Sequence, residues 1–137
     1  MYHNILVPVA LDQAGGPAVP KVLEVARRLA GEDATITVLH VVEEVPGYIE
    51  GYLPAGYLAE TRQRIAEEIA HLTEEVPGGV PAVITGHAGR CRVDWVEDHG
   101  VDLVVMASHR PGMQDLLIGS VAAHVVRHVT CAVHVVR

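Results

Sequence analysis

Five short apolar runs divide the chain, and the stretches between them carry apolar residues every three or four positions. The runs are 5–9 (Ile5-Leu6-Val7-Pro8-Val9), 34–42, 80–85, 103–107 and 132–136. The run Leu103-Val104-Val105-Met106-Ala107 has no polar alternation, the pattern of a strand covered on both faces of a parallel sheet. Pro8 stands near the end of the first run, where a missing ladder donor costs least. Val19, Val22, Leu23, Ala26, Leu29 and Ala30 mark one face of a helix, and Gly31 is the expected stop. Leu58, Ile65, Ile69, Leu72 and Val76 mark a second helix, closed by Pro77-Gly78-Gly79. Residues 90–99 form a third helix with Val93 and Val96 inward, stopped by Gly100, and residues 120–128 a fourth. Residues 43–56 are a long connection bearing Tyr48 and Tyr52, expected to be mobile.

Strands alternating with helices predict an α/β domain with a mostly parallel sheet and right-handed crossovers. In such sheets a ligand sits beyond the carboxyl ends of the strands, where the winding reverses. The loops that matter are therefore those after Val9, Val41 and Ala107.

The third of these is the richest in chemistry. The chain has two serines, Ser108 and Ser120, and both lie on the stretch from the fourth strand to the fourth helix. Ser108, His109, Arg110 and Gly112 fall within five positions; Pro111 turns Arg110 away from helical geometry, and Gly112 lets the backbone approach a guest. His109 can donate to a phosphate and Arg110 can clamp its charge. Gly119 and Ser120 open the following helix. With Ser120 as N-cap, the free first-turn N–H groups and the positive end of the helix dipole suit an anion.

Other constellations are weaker. No Gly-x-x-x-x-Gly-Lys-Ser/Thr occurs and the single lysine, Lys21, lies in the first helix, which excludes a P-loop; no Gly-x-Gly-x-x-Gly follows the first strand. His124 and His128 are spaced as paired zinc ligands are, but Val125 stands where a metalloprotease has glutamate and no third ligand is evident, so no metal is assigned. Ser120 followed by His124 lacks an orienting acid for nucleophilic chemistry. His40 reads as a satisfied core histidine, His87 as a strand-end residue, and Trp95 as packing on the sheet.

Length and composition set the remaining bounds. With 137 residues the chain is one domain, 1–137. A net charge of −7 argues against a nucleic-acid partner. No apolar run reaches the ~18 residues of a membrane span, and Met1-Tyr2-His3-Asn4 is not a basic leader, so a cytoplasmic protein is expected. Cys91 and Cys131 stand alone and form no redox or zinc motif.

Taken with these residues, the chain resembles the universal stress protein family over essentially its full length. The resemblance rests on Asn4-Ile5-Leu6-Val7-Pro8-Val9, Leu39-His40-Val41, Gly86-His87, Asp102 through His109, Gly119-Ser120-Val121-Ala122, Val125-Val126-Arg127-His128 and Cys131-Ala132-Val133. It implies a doubly wound five-stranded parallel sheet with helices on both faces, in strand order 3-2-1-4-5. It also implies a homodimer and, in one branch, ATP or AMP binding with adenine near the ends of the first two strands. The family's phosphate loop reads Gly-x2-Gly-x9-Gly-Ser/Thr. Gly119-Ser120 match its end, whereas Ala107 and Arg110 stand where the first glycines belong and the spacing is one residue short. A His-Arg-Pro-Gly loop resembles a variant within the family, with Gly112 supplying backbone freedom. By position, Pro8, Val9 and Val41 would surround the base. Ala107, His109, Gly119, Ser120 and Val121 would line the ribose and phosphates, with Ser108, Arg110 and Gly112 of the loop beside them. The family's aspartate after the first strand is Ala10 here, and Asp12 is placed to reach the same space.

The resulting expectation is a nucleotide-binding regulatory protein with Mg²⁺ riding on the nucleotide, and at most slow hydrolysis or autophosphorylation. Dimerisation would use the last strand, Ala132, Val133, His134, Val135 and Val136, whose apolar edge would otherwise invite association. The alternatives are an interaction module whose segment 45–57 binds a partner, and a small hydrolase using Ser108 or Ser120.

Overall fold

Alternate residues of the apolar runs part to opposite faces of one sheet. The computed structural model describes residues 1–10, 18–108 and 119–137. Among these the elements in chain order are β1 (Tyr2–Pro8), α1 (Val19–Leu29), β2 (Ala30–Val42), α2 (Gly47–Glu50), α3 (Tyr57–Glu74), β3 (Gly79–Thr85), α4 (Ala88–Asp98), β4 (Leu103–Ala107), α5 (Ser120–His128) and β5 (Ala132–Val136). All strands run parallel in the order β3-β2-β1-β4-β5, the doubly wound arrangement expected from the sequence.

Ile5, Val7, Ile36, Val38, Leu103 and Val105 pack on Val22, Leu23 and Ala26 of α1 and on Ile65 and Ile69 of α3. Leu6, Leu39, Val41, Val104 and Met106 pack on Val96 of α4 and on Ala122 and Val125 of α5. A strand with both faces covered needs apolar side chains at every position, which is why these runs lack alternation. The two outer strands differ. In β5 Ala132 and His134 are exposed, Val133 and Val135 half-buried and Val136 buried.

Several boundaries differ from the sequence reading. Gly31 does not stop α1: the helix ends at Ala30 in extended backbone and passes directly into β2. Gly31 is small for another reason, since a Cβ there would lie 3.1 Å from Met1 Cβ and 3.2 Å from the His3 ring. The connection 43–56 contains the one-turn helix α2. In α4 the inward positions are Arg92 and Val96, with Val93 half-buried.

β1 and β4 pair through only Ile5 with Leu103 and Leu6 with Val104. Below that short ladder, the Asp102 carboxylate accepts from the His3 and Asn4 backbone N–H groups at 2.9 and 3.0 Å. The Asp102 N–H in turn donates to Asn4 O at 2.9 Å, and Asn4 Nδ2 donates to His99 O at 2.6 Å. The carboxylate extends the contact between the two central strands past the end of their ladder. Replacing it with Asp102→Ala is expected to lower unfolding free energy by about 1–3 kcal/mol, the usual cost of losing charge-assisted bonds; urea denaturation checks this, and an unchanged midpoint would show the bonds to be idle.

Candidate functional site

The sheet order reverses direction between β1 and β4, so their carboxyl ends diverge into crossovers on opposite faces and leave a crevice. Pro8 and Val9 are buried at the end of β1, and Ala10 is exposed just beyond. The Val9 N–H donates to Leu39 O at 2.9 Å, and His40 Nδ1 lies 3.1 Å from Val9 O. Val41 is buried one residue further along β2. Thus Pro8, Val9, Ala10 and Val41 are gathered at the ends of two adjacent strands.

Across the crevice, β4 ends at Ala107 and the buried Ser108. The Ser108 N–H donates to Val136 O at 2.8 Å, which ties this strand end to β5. The Gly119 N–H donates to Ser108 O at 2.6 Å, so the start of α5 is fastened to the end of β4. Asp12, His109, Arg110 and Gly112 lie outside the described residues.

One detail of the sequence reading is corrected. Gly119, with φ −65° and ψ 160°, is the N-cap, and Ser120 is the first helical residue, exposed and not capping. The first intrahelical bond runs from Ala123 N to Gly119 O at 2.9 Å. Helix geometry therefore gives the N–H groups of Ser120, Val121 and Ala122 no intrahelical acceptor. They sit at the positive end of the α5 dipole, beside the end of β4. An open cleft of about 750 Å³ lies at the other end of the sheet, lined by Glu24, Arg27, Arg28, Asp33 and Gly78 among others. It is far from the strand carboxyl ends, and Arg28 there is already paired with Glu24 at 3.0 Å.

The histidines sort clearly. His40 is a buried, hydrogen-bonded strand residue, as its setting in the sequence suggests. His87 caps α4 by accepting from Arg90 N at 3.3 Å, a role that its place after Gly86 did not reveal. The His124 and His128 rings lie 4.2 Å apart at 30°, with His128 Nδ1 2.7 Å from His124 O. His124 also lies against α4 at Gly89, where a Cβ would come within 3.1 Å of its ring. Among the described residues no three His, Cys, Asp or Glu side chains are arranged to hold a metal. Trp95 packs in the second core as expected, and stacks on His99 with centroids 3.8 Å apart. Burial first, and the Asp102 carboxylate with it, push the Cys131 thiol up, which suppresses thiolate chemistry.

Comparison with known proteins agrees with this fold. The sequence model of the universal stress protein family matches residues 1–137. Universal stress protein A homolog 2 of Coxiella burnetii is 32% identical over 145 residues, covering 99% of this chain and 95% of that protein. Among solved structures, the universal stress protein UspA from Lactobacillus plantarum superposes with a TM-score of 0.71 at 24% identity, covering 99% and 98% of the two chains. A universal stress protein family member from Arabidopsis thaliana, solved with AMP bound, superposes with a TM-score of 0.63 at 20% identity, covering 98% and 90%. At these identities the structural likeness is one of fold.

The imidazole cluster makes a pH dependence testable. Partial burial, then the like charges of His128, His87 and Arg92, hold His124 below its ordinary value. The unfolded chain, with its ordinary value near 6.5, takes up the proton first as pH falls. Stability from this group is full above about pH 6.5 and is lost on acidification through the depressed value. His124→Gln should flatten the fall in urea midpoint between about pH 7 and pH 5 relative to the wild type; an identical profile would remove His124 as a source of it.

Proposed function

Because the chain belongs to the universal stress protein family, we propose that it is a regulatory protein of the stress response that holds ATP or AMP non-covalently across the carboxyl ends of β1 and β4. The observation that carries this reading is the fastening of α5 to β4 through Gly119 N and Ser108 O, with the next three helix N–H groups lacking intrahelical acceptors beside the switch point. In this reading Pro8, Val9, Ala10 and Val41 surround the base. Ala107, Ser108, Gly119, Ser120 and Val121 face the ribose and phosphates. Asp12, His109, Arg110 and Gly112 are assigned to the same site from the sequence alone, and Mg²⁺ would accompany ATP on its phosphates. The AMP-bound Arabidopsis relative supports an adenylate as the ligand class.

A chemical step is not part of the proposal. Ser120 is exposed at the helix start, while His124 packs against α4 among His87, His128 and Arg92, all of them bases. A nucleophile needs a base oriented by an acid, and among the described residues no carboxylate hydrogen-bonds to His124. The protein would act by binding, as a cytoplasmic homodimer joined along the open edge of β5. Among the described residues that strand pairs with β4 alone, and it carries the half-buried Val133 and Val135.

A second reading has its own observation. Tyr48, Tyr52 and Tyr57 are 77%, 88% and 47% exposed, and Ile49 of α2 lies among them in sequence. Such a run of exposed apolar surface fits a segment that docks a protein partner.

Isothermal titration with AMP and with ATP plus Mg²⁺ separates the two. The wild type is expected to bind, and Gly119→Asp, which sets a carboxylate at the anion seat, to bind at least about tenfold more weakly, a loss of about 1.4 kcal/mol. A wild type that takes up neither nucleotide would sink the reading and favour the partner-docking one. Sedimentation analysis is expected to give a dimer for both proteins; a monomer would remove the β5 assignment while leaving the nucleotide site untouched.

A further inference from the structure

Three of the four tyrosines of the chain, Tyr48, Tyr52 and Tyr57, fall within ten positions, and nucleotide binding makes no use of them. Single apolar side chains scattered over a surface are ordinary. Here the backbone collects them. The Ile49 and Glu50 N–H groups donate to Pro46 O at 2.9 and 3.2 Å, Tyr52 N to Ile49 O at 2.9 Å and Leu53 N to Glu50 O at 3.2 Å, so helical turns continue past α2 to Leu53. Residues four apart on such turns are neighbours, which sets Tyr48 and Tyr52 on one side. Both are almost wholly in water. No residue of α2 is buried, so the packing of the domain gives no reason for aromatic rings there.

Next to them a hollow of about 230 Å³ opens between α2 and the start of α3, walled by Glu50 and Tyr57 above Leu53 and Leu58. It is smaller than the about 300–1,000 Å³ of a small-molecule pocket and suits a single long side chain. The charge around it has one sign. Glu43, Glu44, Glu50 and Glu60 are exposed, and from residue 41 to residue 61 there is no lysine, arginine or histidine. The first turn of α3 opposes a cation through its dipole, a weak effect at an exposed helix end. Glu60 within that turn and Glu50 beside it offset it.

Aromatic faces interspersed with carboxylates select a cation that is flat and sheds water readily. Guanidinium is such a group: it stacks on aromatic rings, meets a carboxylate through two parallel bonds and is more weakly hydrated than ammonium. We infer that residues 43–60 form a docking surface for an arginine-bearing basic segment of a protein partner. Tyr48 and Tyr52 stack its guanidinium groups, and the hollow between Glu50 and Tyr57 receives one of them. This takes up the partner-docking reading above, adds the chemistry of the partner and requires no bound nucleotide.

Fluorescence anisotropy with a labelled short peptide alternating arginine and glycine tests it, beside lysine and glutamine counterparts. The wild type is expected to bind the arginine peptide saturably, the lysine peptide about threefold more weakly and the glutamine peptide not at all. Tyr48→Ala/Tyr52→Ala leaves the charge unchanged and is expected to weaken arginine-peptide binding about tenfold. Glu43→Gln/Glu50→Gln is expected to weaken it about fivefold. Glu67→Gln/Glu68→Gln removes as many charges from the middle of α3 and is expected to stay within about twofold of the wild type. All six replaced side chains are exposed, so each variant is expected to keep the wild-type urea midpoint. No binding of the arginine peptide would overturn the proposal. So would equal losses in the two glutamate variants, which mark a general attraction to an acidic protein. A glutamine peptide that binds as well as the arginine one, and is lost in the tyrosine variant, would keep a docking surface but reject a cationic partner.

Discussion

Apolar residues at every position of the central strands cannot be hidden by helices on one side alone. Ile5 and Val7 face α1 and α3, whereas Leu6 between them faces α4 and α5. Val104 and Val105 divide in the same way. Each fully buried Val, Leu or Ile contributes about 1.5–3 kcal/mol over leaving it in water, so an uncovered face would remove most of the stability of a domain this size. Helices must therefore lie on both faces. With right-handed crossovers, that requires the chain to wind outward from β1 in one direction and from β4 in the other. The crevice at the carboxyl ends of β1 and β4 is a by-product of covering the sheet.

Polar contacts fasten both ends of that central pair. At the lower end the Asp102 carboxylate holds the His3 and Asn4 amides, prolonging a ladder of two residue pairs. At the upper end Ser108 takes one bond from each side, donating to Val136 O and accepting from Gly119 N. His40 secures Val9 in a similar manner from the neighbouring strand. A buried hydrogen bond adds about 1 kcal/mol net to stability, less than one buried side chain. Its larger effect is geometric: these bonds set where the strand ends and the first turn of α5 lie relative to one another. A binding site on strand termini depends on such fixed positions.

The second face carries an uncommon density of imidazole. His87 caps α4, His124 rests on Gly89, and the His128 ring lies tilted against that of His124 while meeting its carbonyl. Glycine at position 89 permits this, because a Cβ would press on the His124 ring. Burial first, then the neighbouring like charges, hold His124 below its ordinary value. The packing makes His124 part of the junction between α5 and α4, one turn along the helix from the exposed Ser120.

The sequence alone determined the class of fold. Unbroken apolar runs can be satisfied only between two layers, and their alternation with helical periodicity leaves few topologies. The same local logic identified His40 as a core residue and located the opening of the last helix to within a residue. Its errors were local also. Ser120 has the chemistry of an N-cap, yet Gly119 occupies that position, because fastening its N–H to Ser108 O decides where the helix turns. Gly31 has the look of a helix stop, but it serves the close approach of Met1 and His3. The roles of Asp102, of His87 and of the imidazole on Val9 O depend on groups brought together across the sheet or by a turn of the backbone. Periodicity reports which face a residue takes; only the folded register decides which carbonyl or amide it meets there.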